Sequence, residues 1–341
     1  MLRLPQVHRR HGQCRARSLL CLMMKLTEAT HKNFEDMLGP VVSIDGIEHE
    51  TDDDKINEIV FELYKEAASV VNIAAHLCTE ASSAKGGWPR NQAICAGLLI
   101  RIMKFMVVVT QLSVEGNRSE VVMALTRCIM ESAVNLEFLV HANEDRFYDQ
   151  FVKLSLGPER ELYDQIQSNV SSRNGQKWPI EERMLKRIED LCQRSGVKIE
   201  DVDRKSGDWG GGVRERLKAI NKEDLYVTLQ RIPSHAIHGT WVDLYTSHLE
   251  YDNKTGTYRP KSRFSRLDAR SLGPTAAMVL DAVRPYLDRF FSEIPDRMVL
   301  RNRLDDAQRR ILIADGVHEQ LYAKKRRGGW PGQRPTPTEQ S

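Results

Sequence analysis

The chain has 341 residues, 41% hydrophobic and 28% charged, with 21 Gly and 13 Pro. That balance excludes a disordered, collagen-like or membrane-dominated polypeptide and allows one large or two modest domains. The formal net charge of +3 sits at the ends: five Arg and no acid in residues 1–22, five Lys or Arg against Glu339 in 324–341, leaving 40 basic and 46 acidic residues between them, a net −6 that argues against a bulk electrostatic nucleic-acid binder.

Residues 1–24 are Arg-rich and end in a short apolar run, Leu19 to Met24, followed at once by Lys25. Two readings fit: a start assigned too early, with Met23 or Met24 the true one, or a targeting peptide, for which the apolar run is short. The weakly strand-like stretch 41–47 carries an Asp45-Gly46 turn.

Thr51 and the three Asp after it predict a helix start, because a hydroxyl cap and first-turn acids satisfy free N–H groups and the helix dipole. Apolar positions then recur at helical period from Ile56 to Cys78. SSAKGGWP (82–89) ends this helix. The stretch 93–112 is about long enough to span a bilayer, but Arg101 and Lys104 stand in its middle, so it is read as the buried central helix of a bundle and no membrane partner is expected.

Ser119 is placed as the cap of a third helix, with Val121, Val122, Leu125, Cys128, Ile129, Leu136, Leu139 and Val140 inward. Arg127, Glu131 and Asn135, spaced by four, form a polar stripe on it. A carboxylate inside a bundle is costly alone, so Glu131 should pair with Arg127 or meet Arg231 or a later histidine. Helical pattern continues over 146–156, 158–170, 179–193, 213–229, 233–249, 275–291 and 305–322. Trp209 followed by three Gly reads as a loop and helix start, lacking the strand a phosphate-cradling Gly loop requires. Residues 251–258 could close a small hairpin around Asp252-Asn253-Lys254-Thr255-Gly256.

The fold class is therefore all-α, an irregular multi-helix bundle with at most one small β-hairpin. The organisation is an N-terminal extension (1–50, partly disordered), a helical bundle domain (51–300), a C-terminal helix (301–323) and a basic disordered tail (324–341). The six cysteines (Cys14, Cys21, Cys78, Cys95, Cys128, Cys192) form no C-x-x-C pair and read as reduced small hydrophobes in a cytoplasmic protein.

The densest polar cluster lies in residues 231–252, where Arg231, Ser234, His235, His238, Asp243 and His248 stand among apolar and aromatic residues. In a helix begun at Pro233, His235 and His238 share a face, and Gly239 interrupts it. A near-neutral His can take the proton from a 2′-hydroxyl while an Arg holds the negative charge of a phosphodiester transition state. The same pair could instead be internal braces. With Asp243 or His248 they could bind zinc, but H-x-x-H lacks the i, i+4 spacing of H-E-x-x-H and no Cys accompanies it, so neither metal nor cofactor is expected. Six basic residues between Lys254 and Arg270, against Asp268, permit a phosphate-rich ligand.

The order of an R-x-x-x-E-x-x-x-N helix (Arg127, Glu131, Asn135), then FVKLSLGPERELY, then W-G-G-G, then a helix ending in R-x-P-S-H-x-x-H-G (231–239) resembles a bacterial family of helical proteins of unknown function over about residues 55–295. That family is in turn similar to the HEPN superfamily of all-helical proteins, many of them metal-independent RNases of toxin and phage-defence systems. Their Arg, four to six residues, His motif is matched by Arg231 and His238. The resemblance implies RNA as substrate and a homodimer with paired motifs facing. The candidate site is then Arg231, His235 and His238, with Glu131 and Arg127 from another helix. A non-catalytic ligand- or partner-binding module with structural histidines is the alternative.

Overall fold

The computed structural model describes residues 37–81, 87–114, 118–203, 209–265, 269–292 and 297–327. The expectations for the first 36 residues, for the end of the tail, and for Cys14, Cys21, Arg266 and Asp268 lie outside them, as does the Cys78 side chain. Among the described residues the chain forms eleven α-helices and one two-stranded sheet, an all-α bundle with a small hairpin.

Asp52, rather than Thr51, starts the first helix: its carboxylate accepts the Asp54 N–H at 2.9 Å, and α1 (Asp53–Ala81) begins there. Ile56, Val60, Leu63, Ala67, Val70, Val71 and Ala74 are buried along its apolar stripe. Residues 41–47 form no strand; a short turn at Ile47–His49 comes after Gly46, whose φ of 75° needs a residue without Cβ clashes. α2 (Arg90–Val114) and α3 (Ser119–Ala142) come next, and Arg118, not Ser119, takes the cap position of α3.

α2 is the one described helix long and apolar enough to cross a membrane. It packs against α1 and α3 and leaves a stripe of Gly97, Arg101, Lys104, Val108 and Gln111 to solvent. It is therefore a flank of the bundle and not its centre. That place belongs to α10 (Leu272–Phe290), which touches α1, α2, α3 and α11 (Arg297–Arg327). Its Gly273, Ala276, Ala277 and Ala282 are buried, and small side chains are what let four neighbours approach one helix closely. Within this core each fully buried Leu, Ile or Val contributes about 1.5–3 kcal/mol of transfer free energy.

The connection between α3 and α10 holds everything else. α4 (Asp145–Ser155), α5 (Gly157–Ser172) and α6 (Pro179–Ser195) lead outward, α6 packing on α5. The W-G-G-G segment is the loop and helix start expected of it, before α7 (Gly212–Ala219). Trp209 packs edge-on against Phe138 and Phe151, with ring centroids at 5.6 and 5.1 Å, and Arg216 lies over its ring and donates to its carbonyl at 2.6 Å.

The helical pattern over 213–229 breaks. Asn221 adopts φ 58° after α7, a left-handed stop that Asn tolerates, and the chain resumes as a wide turn, Val227–Arg231, with i→i−5 bonding. The pattern over 233–249 also breaks, into α8 (Ser234–His238), a left-handed Gly239 at φ 56°, α9 (Trp241–Asp243) and a second wide turn, Leu244–His248. β1 (Leu249–Asp252) and β2 (Thr257–Pro260) then make the expected hairpin, with Tyr251 opposite Tyr258. Val121, expected inward, is 41% exposed.

Candidate functional site

The site is built where the first half of α3 meets the wide turn at 227–231 and α8. Tyr226 and Leu229 turn into a small core with Met130, Val134 and Leu217. That anchoring leaves Arg231 and Ile232 facing solvent. Pro233 explains the width of the turn: it has no N–H and its ring clashes with the carbonyl four residues back. The Ile232 N–H reaches the Val227 carbonyl at 3.0 Å, and the backbone stays right-handed through Pro233 (φ −66°, ψ −17°) into α8. The proline therefore widens the helix and does not divert it.

On α3, Arg127 is 8% exposed and donates to Glu131 Oε2 at 2.5 Å, so of the three expected partners Glu131 takes Arg127. The same guanidinium reaches Ser234 Oγ on α8 at 3.4 Å, and Ser234 in turn donates to the Gln230 carbonyl. Asn135 completes the polar stripe; it is buried, and among the described residues its Oδ1 accepts no hydrogen bond.

The two histidines differ. His235 is half-buried, with Nδ1 at 2.7 Å from Thr240 Oγ1, whereas His238 ends α8 exposed. Neither His238 nor Arg231 makes a hydrogen bond or ion pair among the described residues. His248 lies 3.5 Å from the buried Asp243. Among the described residues no three His, Cys, Asp or Glu side chains converge as metal ligands, which leaves the zinc arrangement without a ligand set. Cys95, Cys128 and Cys192 are free thiols.

Of the basic run that begins in the hairpin turn, Arg259 pairs with Asp252 at 3.3 Å, and Lys261 is used internally, bonding the Thr246 carbonyl at 3.1 Å and Ser265 Oγ at 2.8 Å. Ser265 is held to α3 through its N–H to Glu120 Oε1 at 2.9 Å.

Sequence reasoning missed a second charged cluster on the opposite part of α3. Lys222 donates to both Glu137 oxygens at 2.9 and 2.8 Å and to Asp281 at 3.1 Å, while Arg284 and Gln308 bond Asp281 at 2.7 Å each. Burial pushes the Glu137 carboxyl above its usual range despite Lys222. The cluster ties α3, α10 and α11 to the turn that precedes residues 223–231, a bracing role. Its members lie 85 and 59 residues apart, so no motif could have flagged them.

No curated protein and no solved structure matches the chain significantly. Residues 92–256, which run from α2 to the hairpin and include all five candidate residues, match the model of a family of unknown function, DUF5677.

Proposed function

We propose that the protein is a HEPN-like, metal-independent RNase that acts as a homodimer in the cytoplasm, in a toxin or phage-defence setting. The observation that carries this reading is the state of Arg231 and His238: both are exposed and without a hydrogen bond or ion pair among the described residues, on either side of Pro233 in a backbone that stays right-handed. A guanidinium and an imidazole without internal duties are available to a ligand, whereas bracing residues are occupied.

In the reaction His238 takes the proton of a 2′-hydroxyl, whose oxygen attacks the adjacent phosphorus. Arg231 stabilises the charge gathering on the phosphoryl oxygens. The bond to the 5′-oxygen breaks, that oxygen receives a proton from the second imidazole, His235, and the products are a 2′,3′-cyclic phosphate and a free 5′-hydroxyl. Arg127 and Glu131 position α8 from beneath through Ser234.

The second reading, a non-catalytic ligand- or partner-binding module, is favoured by the internal bonds of Arg127 and His235. Incubating a labelled single-stranded RNA with wild-type protein and with His238→Ala in EDTA separates the two. Cleavage by the wild type alone, with loss of growth toxicity in the variant, is expected; equal behaviour of the two proteins overturns the enzymatic reading.

A further inference from the structure

Beside the candidate site the surface carries four large aromatic side chains that the cleavage chemistry does not use. Trp241 is 57% exposed, Tyr245 47%, Tyr251 44% and Tyr258 45%. They form one connected group: Trp241 to Tyr258 at 5.5 Å between centroids, Tyr245 to Tyr258 at 6.4 Å, and Tyr251 to Tyr258 at 5.0 Å directly across the hairpin. Aromatic residues that exist to fill a core are covered, and their polar tips find partners. Here each ring keeps roughly half of its surface in water, and none of the three phenols nor the indole N–H makes a hydrogen bond among the described residues.

The group is also held firmly. Lys261 ties β2 back to the wide turn at 244–248 through its N–H to the His248 carbonyl at 2.9 Å and its ammonium to the Thr246 carbonyl. Ser265 fastens the far end to the start of α3. Aromatic side chains turn about only two bonds and so have little rotamer entropy to lose when something stacks on them.

Charge selects the occupant. The hairpin turn and the segment leaving β2 add the exposed cations Lys254 and Arg263, on a body whose net charge is −6, while Arg259, which alternates with Tyr258 along β2, faces the other side and pairs with Asp252. A second copy docking by the same face would set these cations against their own images, because a two-fold interface is self-complementary. A polyanion with planar faces satisfies both features at once.

We infer that the Trp241, Tyr245, Tyr251 and Tyr258 group is a base-stacking platform for unpaired nucleotides of a single strand, with Lys254 and Arg263 available to its phosphates. Stacking is tolerant of sequence, since every base has a π-face, and it requires bases that are not already paired. The platform names the substrate class of the nuclease reading and rests on that reading only for the cleavage step after binding.

The test uses full-length His238→Ala protein, so that the probe stays intact, and fluorescence anisotropy with a labelled 12-nucleotide oligo(A) RNA, alone and as its duplex with oligo(U), in EDTA. Tight binding of the single strand and weaker binding of the duplex are expected. Adding Trp241→Ala or Tyr258→Ala weakens binding of the single strand about tenfold or more, in line with losing one stacked base. Trp241→Phe restores most of it, and Arg263→Gln lowers the salt dependence by about 0.7 in log–log slope. The exposed positions leave the thermal midpoint unchanged, which keeps a binding loss interpretable.

Equal affinity of ring variants and parent, equal affinity for single strand and duplex, or no binding at all overturns the platform. So does a sedimentation result in which the parent is a dimer that Trp241→Ala with Tyr258→Ala dissolves, for the face is then an interface between copies. Binding that persists while wild-type protein cleaves nothing refutes the nuclease and leaves the platform standing.

Discussion

Arg127 on α3 is joined at once to Glu131, one turn along its own helix at 2.5 Å, and to Ser234 on α8, 107 residues further on, at 3.4 Å. The guanidinium is buried, whereas the Glu131 side chain is 43% exposed. Loss of Glu131 therefore strands a buried cation, while loss of Arg127 leaves a carboxylate that water can reach. Glu131→Gln and Arg127→Ala are each expected to lower unfolding free energy by about 1–3 kcal/mol. The double variant falls short of their sum by about 0.5–3 kcal/mol because the two changes remove one interaction. Urea unfolding of the four proteins measures this; strict additivity would mean that the pair is not coupled.

A deeper ion pair gives a larger expectation. Glu66 on α1 accepts two bonds from Arg310 on α11, at 2.6 and 2.7 Å, and lies 2.6 Å from Arg303 Nε. It also takes the Val42 N–H at 3.1 Å, which docks the segment before α1. Side-chain exposure is 2% for Glu66 and 4% for Arg310. Glu66→Ala leaves Arg310 with only the more exposed Asp306 and takes the carboxylate from Arg303, and is expected to cost about 3–5 kcal/mol, read as a fall in the chemical denaturation midpoint. A cost below about 1 kcal/mol would show that water reaches the two arginines.

Much of this architecture is legible in the sequence, for a reason the helices make plain. α1 and α3 bury apolar residues in stripes of helical period, and i, i+4 spacing alone proposes the Arg127 to Glu131 pair. What escapes is set by contacts distant in sequence. The centrality of α10 depends on small residues meeting four neighbours, not on its hydrophobicity, which made α2 look like the middle. The breaks at Asn221 and in the turns at 227–231 and 244–248 change helix width over five residues, too few for periodicity to register. At the site, the spacing of His235 and His238 is legible, but their different exposure arises from Thr240, one partner beyond the Gly239 turn.

Two carboxylates of the Lys222 cluster should give pH effects of opposite sign. At Asp281 burial opposes ionisation, but the bonds from Gln308 and from Lys222 outweigh it and hold the carboxyl below its ordinary 3.8. Its contribution to stability is therefore present above 3.8 and lost as pH falls through the folded value. Glu137 is raised above 4.5, chiefly by burial, so its contribution is present below 4.5 and lost as pH rises through its folded value. Unfolding free energies from pH 3 to 7 should show Asp281→Asn with a flatter acid limb than wild type. The advantage of wild type over Glu137→Gln should shrink as pH rises past 4.5. The reverse slopes would contradict these assignments.

The glycines of the W-G-G-G turn make a backbone prediction. Gly211 has φ +76°, and a Cβ there would stand 2.9 Å from Glu215 Cβ, an atom fixed by the α7 backbone. Gly211→Ala is expected to destabilise by about 1–3 kcal/mol. It also loosens Trp209 from Phe138 and Phe151, seen as a shift of tryptophan emission toward that of exposed indole. Retention of both the midpoint and the emission maximum would mean that the turn relaxes at no cost.

Pro233 offers the sharpest test of whether the wide turn serves the site. With Ala in its place the position regains an N–H that can bond the Leu229 carbonyl four residues back, and the turn can tighten to ordinary α-helix. Removing the extra residue per turn swings everything downstream by about 100° relative to Arg231, since successive α-helical residues are spaced by that angle. His238 would then leave its present position with respect to the guanidinium while keeping its own chemistry. Pro233→Ala is thus expected to preserve or raise the thermal midpoint and yet to lower RNA cleavage by an order of magnitude or more, on the effective-molarity argument that misplaced catalytic groups are expensive. If cleavage survives the substitution intact, the proposed chemistry does not depend on the turn, and the proline is there for another reason.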